Sequence, residues 1–391
     1  MRRLTLPEHQ ARSFDPIPRP VAEALSATGA VKASADLGGR TVLQASSHVG
    51  VLRAGDIELR ITPKIGIRRL LWLIGHAQNP KGWRDDDIVE LATTDDIVSA
   101  LAVSFRVAAQ RATIHGLLKG YKTVDESLPG LRGRLREADQ LRYRHGLGMP
   151  LEVRYDDYTT DIPENQILLA ATHRLLRIPD LPPATLTGLR RLQLNLSDVT
   201  PLGAALPVPE TASIRLTRHY QSALRLARLV LTERSLDQPP GDTTASGFVF
   251  DLNRIFERWL TVTLRRALEH HDGELHSQYR SHLDTNKQIP IQPDLVWVPR
   301  DRPATVVDAK YKGLENGKQY EADLYQMVAY CTALGAYEGH LIYASGDHIG
   351  THTVRQSGIR IHICALDLDQ PPENIWRQVA GIATTVAGRP S

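Results

Sequence analysis

Cysteine is nearly missing from this chain: 391 residues carry two, Cys331 and Cys364. Both sit in apolar stretches without metal-ligand spacing, which excludes a zinc ribbon or a disulfide-built scaffold and points to buried thiols in a reducing compartment. Long apolar runs are lacking too. The longest, Leu70 to Ile74 and Ile97 to Phe105, fall far short of the roughly 20 residues that cross a bilayer. Met1-Arg2-Arg3 is basic, but no apolar core follows, so the expectation is a soluble cytoplasmic chain with no membrane partner. Neither sign of charge dominates: 47 Lys and Arg against 44 Asp and Glu leave a formal +3, so any nucleic-acid surface has to be local. A phosphate-cradling G-x-x-x-x-G-K-S/T loop is also missing, because Gly317-Lys318 has neither the spacing nor the hydroxyl. The chain is therefore expected to bind no nucleotide alone, and nucleotide energy has to come from another subunit. His270, His271, His276 and His282 cluster in sequence, but an adjacent pair followed by irregular gaps suits no ordinary zinc site.

What is present centres on Ile291 to Lys312, IQPDLVWVPRDRPATVVDAKYK. Two apolar runs flank the turn residues Pro299 to Pro303, and each carries an acidic residue, Asp294 and Asp308. The alternation of Leu295 with Trp297, together with Val306 and Val307, predicts two strands joined like a hairpin. Asp308 and Lys310, two apart on a strand, then point to one face. A metal-dependent nuclease needs this set: carboxylate oxygens for magnesium and a lysine beside the attacking water. A D-x-K triplet alone reads as a salt-bridged strand end. Pro293-Asp294 on the neighbouring strand turns it into the PD-(D/E)XK pattern of restriction-type and repair nucleases.

At 391 residues the chain is long enough for two domains. A helix is expected within Ala22 to Ala33, then a hairpin of Val49 to Arg53 and Ile57 to Thr62 turning at Ala54-Gly55-Asp56. Further helices are predicted at Leu70 to His76 and Asp95 to Ala112. Arg132, Arg134 and Arg136 alternate with Gly133 and Leu135; on a strand they form either a ribbon contacting phosphate or a partner, or a solvated face balanced by Glu126, Glu137 and Asp139. Asp161 is the expected N-cap of a helix from about Gln166 to Leu176, with Pro163 and Glu164 in its first turn. Leu202 to Pro209 reads as the boundary between an α+β region, 1–208, and a second domain, 209–391. The second domain is expected to begin with an amphipathic helix, Ile214 to Leu236, and to continue as helix Phe248 to Glu269. Strands near 274–279, 292–298 and 305–311, a helix Tyr320 to Leu334, and strands Leu341 to Ala344 and Ile359 to Leu366 follow. That order is the core of an α/β PD-(D/E)XK restriction-endonuclease-like domain, a mixed central sheet flanked by helices. In it the acidic residue of the leading helix leans toward the metal; Glu257 either does so or pairs with Arg254 or Arg258. Gln326, with Tyr325 and Tyr330 near it, either reaches Lys310, a carboxylate or a phosphate oxygen, or stays a helix-surface glutamine.

Several segments together resemble the McrC family, the nuclease subunit of the McrBC modified-cytosine restriction system. They are DIELRITPKIG, KGY at Lys119 to Tyr121, LRGRL at Leu131 to Leu135, DIPEN, FVFDLNRIFERWL, PDLVWV, VVDAKYK and DLYQMVAY, in order over about residues 40 to 345. The resemblance implies a DNA endonuclease subunit of a type IV restriction system that docks on and stimulates an McrB-like AAA+ GTPase hexamer through its N-terminal part. It implies catalytic roles for Asp294, Asp308 and Lys310, with Glu257 and Gln326 in support. Mg²⁺, which Mn²⁺ can replace, would sit on Asp294, Asp308 and the Ala309 carbonyl. Two other readings are an activator of a partner NTPase that has lost cleavage, and a stand-alone repair nuclease. The intact Asp294, Asp308 and Lys310 oppose the first, and the long N-terminal region opposes the second.

Overall fold

The computed structural model describes residues 1–78, 97–145, 148–178, 180–203, 208–209, 211, 219–232, 245–300, 302–313, 321–346 and 350–388. Two compact units emerge: Met1–Val98 together with Glu233–Ser391, and Ser99–Thr232. This differs from a single cut near residue 208, because the chain leaves the first unit and later returns to it.

The first unit opens with β1 (Arg2–Pro7), β2 (Ala11–Phe14), α1 (Arg19–Ala27), β3 (Val31–Ala35), β4 (Thr41–Ala45), β5 (His48–Ala54), β6 (Ile57–Thr62) and α2 (Ile67–Gln78). The expected hairpin is β5 and β6, antiparallel, turning through Gly55 at φ 56°. The helix expected over Ala22 to Ala33 starts and ends earlier, and Val31 onward is strand, packed in the small sheet β2-β4-β3. Strand β1 adds in parallel to β6.

The second unit holds α3 (Ile97–Thr113, from Ser99), β7 (Gly120–Leu128), β8 (Arg134–Leu135), α4 (Glu137–Arg144), β9 (Leu151–Thr159), α5 (Pro163–Leu176), α6 (Pro183–Asn195) and α7 (Gln221–Thr232). Its sheet runs β7-β9-β8. Asp161 does not cap α5; Ile162 holds that position. The Asp161 carboxylate instead accepts from Lys122 Nζ at 2.5 Å, Gln166 Nε2 at 2.8 Å and Thr200 N at 2.8 Å. Burial opposes its charge, yet these donors hold its pKa well below the usual carboxylate range. The helix expected over Ile214 to Leu236 is described over Gln221–Thr232, its two ends lying outside the described residues.

The chain re-enters the first unit as β10 (Ala245–Asp251). Phe248 and Phe250 therefore lie on a strand rather than in the expected helix, which begins only at α8 (Leu252–Ala267). The switch has a local cause: the Asp251 side chain caps α8 through Asn253 N at 3.1 Å. Strand β10 pairs antiparallel with β5, completing the sheet β1-β6-β5-β10. Gly50, at φ 141°, makes that pairing close; a Cβ there would collide with the Phe248 carbonyl oxygen.

Then come β11 (Gly273–Ser277), β12 (Ser281–His282), β13 (Pro290–Ile291), β14 (Leu295–Pro299), β15 (Thr305–Gly313), α9 (Glu321–Leu334), β16 (Glu338–Ser345), β17 (Gly350–Thr353), β18 (Arg360–Ala365) and α10 (Pro372–Val386). Six strands form the mixed sheet β11-β14-β15-β16-β18-β17, with β15, β16 and β18 mutually parallel. The interior of α9 buries Met327 and Cys331 against β16, where Gly339 leaves room for the Met327 sulfur. From α8, the fully buried Trp259 stacks on Phe256 at 5.9 Å and meets Trp72 of α2 at 6.1 Å. Burial of this kind is worth roughly 2–3 kcal/mol per large side chain. Tyr311 of β15 donates to the buried Glu8 carboxylate at 3.2 Å, and Lys64 N donates to the same oxygen at 2.7 Å. These bonds tie the N-terminal strands to the strand that carries Asp308.

Candidate functional site

Asp294 directly precedes β14, and Asp308 and Lys310 sit two apart on β15. The antiparallel pairing of β14 with β15 ends at Leu295 and Val307. Beyond it the strands part, and the Asp294 side chain fills the gap: its Oδ2 accepts from Ala309 N at 2.9 Å. Alternation turns Asp308 and Lys310 to the same side, where the ammonium pairs with Asp308 Oδ2. Lys310 Nζ also donates to Gln326 Oε1 at 3.0 Å, and Gln326 Nε2 donates to the Tyr330 hydroxyl at 2.8 Å. One turn of α9 thus holds the lysine from above. Gln326 makes the contact with Lys310 that was one of its open alternatives.

Glu257 arrives from α8. It makes no ion pair with Arg254 or Arg258 among the described residues, and its Oε1 accepts instead from Gln278 Nε2. The same amide reaches Asp294 Oδ1 at 3.4 Å, so Gln278 bridges two carboxylates. Gln292 Nε2 steadies Gln278 from behind, at 2.6 Å from its Oε1. Sequence reasoning missed Gln278. It gains its place through the pairing of β11 with β14, which ends at Ser277 opposite Leu295 and continues as Gln278 N donating to the Asp294 carbonyl at 2.7 Å. A strand-end residue next to a paired Asp is a signal only once register is known.

The electrostatics fit a cation. Asp308 is 3% exposed. Burial, then the Asp294 charge, push its pKa up from an ordinary 3.8 to about 7. Asp294 is raised by burial and by Glu257, and Glu257 by burial and by Asp308. Burial works against the Lys310 charge as well, but Asp308 outweighs it and the ammonium holds its proton more tightly than usual. Three carboxyls that resist ionising together form an anionic excess that a dication relieves. Asp308 Oδ2 is buried and takes no hydrogen bond of regular geometry, its contact being the ion pair with Lys310. Hard oxygen donors of this kind suit magnesium or manganese. Asp294 and Asp308 could hold such an ion.

The three arginines lie in the other unit. Only Arg134 belongs to a strand, the two-residue β8, so no alternating ribbon forms. Arg132 binds Asp157 at 2.8 Å and lies over the Tyr155 ring at 3.8 Å; Arg136 pairs with Asp125 at 3.5 Å and with Asp139. Two of the three are thus engaged by acidic neighbours, of which Asp139 alone is among the expected Glu126, Glu137 and Asp139. The four clustered histidines form no cation-binding group among the described residues. Nor, among those residues, is any helix long and apolar enough to cross a membrane.

Fold and site together define a mixed α/β chain with a carboxylate cluster and the Lys310 ammonium where β14 and β15 part in the six-stranded sheet. Residues 43–344 match the model of the McrBC 5-methylcytosine restriction system component family, and the chain belongs to that family. Among curated proteins none matches it. Among solved structures, a chain in the refined half-complex from a tetradecameric assembly of Thermococcus gammatolerans McrB AAA+ hexamers with bound McrC shares its fold. The TM-score is 0.64 and the identity 17%, covering 98% of this chain and 100% of that one. A chain in the cryo-EM structure of the Thermococcus gammatolerans McrBC complex is 19% identical over 69% of this chain and 89% of that one, with a TM-score of 0.44.

Proposed function

We propose that this chain is the DNA-cleaving subunit of a modification-dependent restriction system, a Mg²⁺-dependent endonuclease with a PD-(D/E)XK core that works with and stimulates an McrB-like AAA+ GTPase hexamer. The observation that carries the reading is the convergence of Glu257, Asp294, Asp308, Lys310 and Gln326 from α8, β14, β15 and α9 on one cluster. Family membership supports the restriction role, and the McrB AAA+ hexamers of the similar assembly support the partner.

Asp294 and Asp308, with the Ala309 carbonyl, would hold the metal, while Glu257 would add charge to its surroundings. The bound ion would polarise the scissile phosphodiester and lower the pKa of a coordinated water. Ala309 N fixes the orientation of Asp294, and Gln326 fixes that of Lys310. Because Asp308 keeps the ammonium charged, Lys310 orients the attacking water and steadies charge on the phosphate rather than taking a proton. Met1–Val98 shares a compact unit with the carboxylate cluster, and Ser99–Thr232 forms the other unit, to which we assign partner docking.

The test uses the complex with the partner GTPase, methylated DNA, GTP and Mg²⁺. Asp308→Ala and Lys310→Ala are each expected to abolish strand cleavage while GTP hydrolysis remains stimulated. Cleavage persisting in Asp308→Ala would overturn the assignment.

A further inference from the structure

Away from the carboxylate cluster, β16 and β18 set a glutamate and two histidines side by side. In their parallel register Glu338 lies opposite Arg360 and His340 opposite His362, so alternation puts Glu338, His340 and His362 on one face of the sheet. Asp308 pairs in register with Leu341, which places His340 on the other face from the carboxylate cluster. One donor atom from each of Glu338, His340 and His362 lies within 4.8 Å of the others.

His340 is the informative member. It is 0% exposed, and neither ring nitrogen has a hydrogen-bond partner. An imidazole always offers at least one N–H and, when neutral, one lone pair, and burying both without partners is costly. Its ring stacks on His362 with centroids 4.5 Å apart and planes 20° apart, a contact that satisfies neither nitrogen. Burial drives its pKa down to about 3, so the ring is neutral and its lone pair available. His362 is half-buried and already oriented, with Nδ1 at 3.1 Å from Thr351 Oγ1. With that nitrogen engaged, Nε2 is the one left to ligate, the arrangement that outer hydrogen bonds impose on metal-bound histidines. Glu338 is oriented in turn by its ion pair with Arg360.

We infer that Glu338, His340 and His362 form a second cation site, taking a divalent transition ion of the zinc class through one carboxylate oxygen and two imidazole nitrogens, with a fourth position open to water. Two nitrogen donors favour zinc, cobalt or nickel over magnesium, which separates this site chemically from the all-oxygen cluster. Bridging β16 to β18, the ion would pin the strand next to the one that bears Asp308 and Lys310.

The test is made on the full chain carrying Asp294→Asn and Asp308→Asn, so that the oxygen cluster cannot answer. After treatment with chelator, Zn²⁺ is titrated by calorimetry and Co²⁺ by its visible absorption, in millimolar Mg²⁺. The expected result is one equivalent of zinc unaffected by magnesium, and cobalt bands of a four-coordinate site. Loss of His340 threatens the core, so His362→Ala and Glu338→Gln, both partly exposed positions, carry the comparison, with folding checked by circular dichroism. His362→Ala should abolish the equivalent and Glu338→Gln should weaken it at least tenfold. Absence of that equivalent, or zinc binding that survives both substitutions and so belongs to surface histidines, overturns the inference.

Discussion

Replacing Asp308 with asparagine should make the metal-free chain more stable, not less. In the folded chain the Asp308 carboxyl ionises at about 7, against 3.8 ordinarily, chiefly because it is buried and then because Asp294 is near. Between those two pH values the folded chain binds a proton that the unfolded chain has released, so stability falls as pH rises from about 4 to about 7. Above about 7 the penalty is complete, and at about 1.4 kcal/mol for each tenfold change it reaches about 4 kcal/mol. The attraction of Lys310 already acts on that ionisation and needs no separate subtraction. Relaxation and water entry reduce such figures in real proteins, leaving roughly 2–4 kcal/mol. Asparagine keeps the shape and lacks the charge. In chelator at pH 8, Asp308→Asn should therefore melt higher than the wild type, by about 2 °C per kcal/mol for a unit of this size. The gap should narrow at pH 5.5, and Mg²⁺ should narrow it at pH 8 by stabilising the wild type alone. Melting curves at both pH values, with and without Mg²⁺, test this. A variant less stable than the wild type at pH 8, or a gap independent of pH, would refute the reasoning.

Two further outcomes follow from particular contacts. Gln278→Ala removes the amide shared by Glu257 and Asp294, and it should weaken Mg²⁺ binding by about tenfold with little change in melting, as titration calorimetry would read. Gly50→Ala pushes a methyl group into the Phe248 carbonyl at a positive φ, and should destabilise the first unit by more than about 2 kcal/mol in urea unfolding. A neutral Gly50→Ala would mean that β10 does not seal the sheet as closely as the backbone indicates.

Much of the site was legible because its residues are local in sequence. Asp308 and Lys310 needed nothing beyond period-2 alternation, and Pro293-Asp294 needed one turn. Glu257 and Gln326 were legible as candidates on flanking helices, each with an alternative that residue type could not remove. The partners that decided between the alternatives, Gln278 for Glu257 and Lys310 for Gln326, lie 21 and 16 residues away. For the three arginines, alternation alone could not show where a strand stops. Here it stops after two residues, at the start of α4, and Arg136 turns to Asp125 and Asp139.

The longest misreading concerns Phe248 to Asp251. Helical spacing runs straight through FVFDLNRIF, and an aromatic run serves either period. Its state is set by β5, about 200 residues earlier, whose Gly50 admits the Phe248 carbonyl. The same pairing returns the chain to its first unit and removes the cut near residue 208. By itself the sequence determined the strands, turns and charged triad whose spacing lies within one or two elements, since those depend on backbone geometry and alternation. Tertiary structure alone decided the division into units, the bridging role of Gln278, and the meeting of Glu338 and His340 with His362, since register between distant strands is fixed by packing and leaves no periodic trace in the chain.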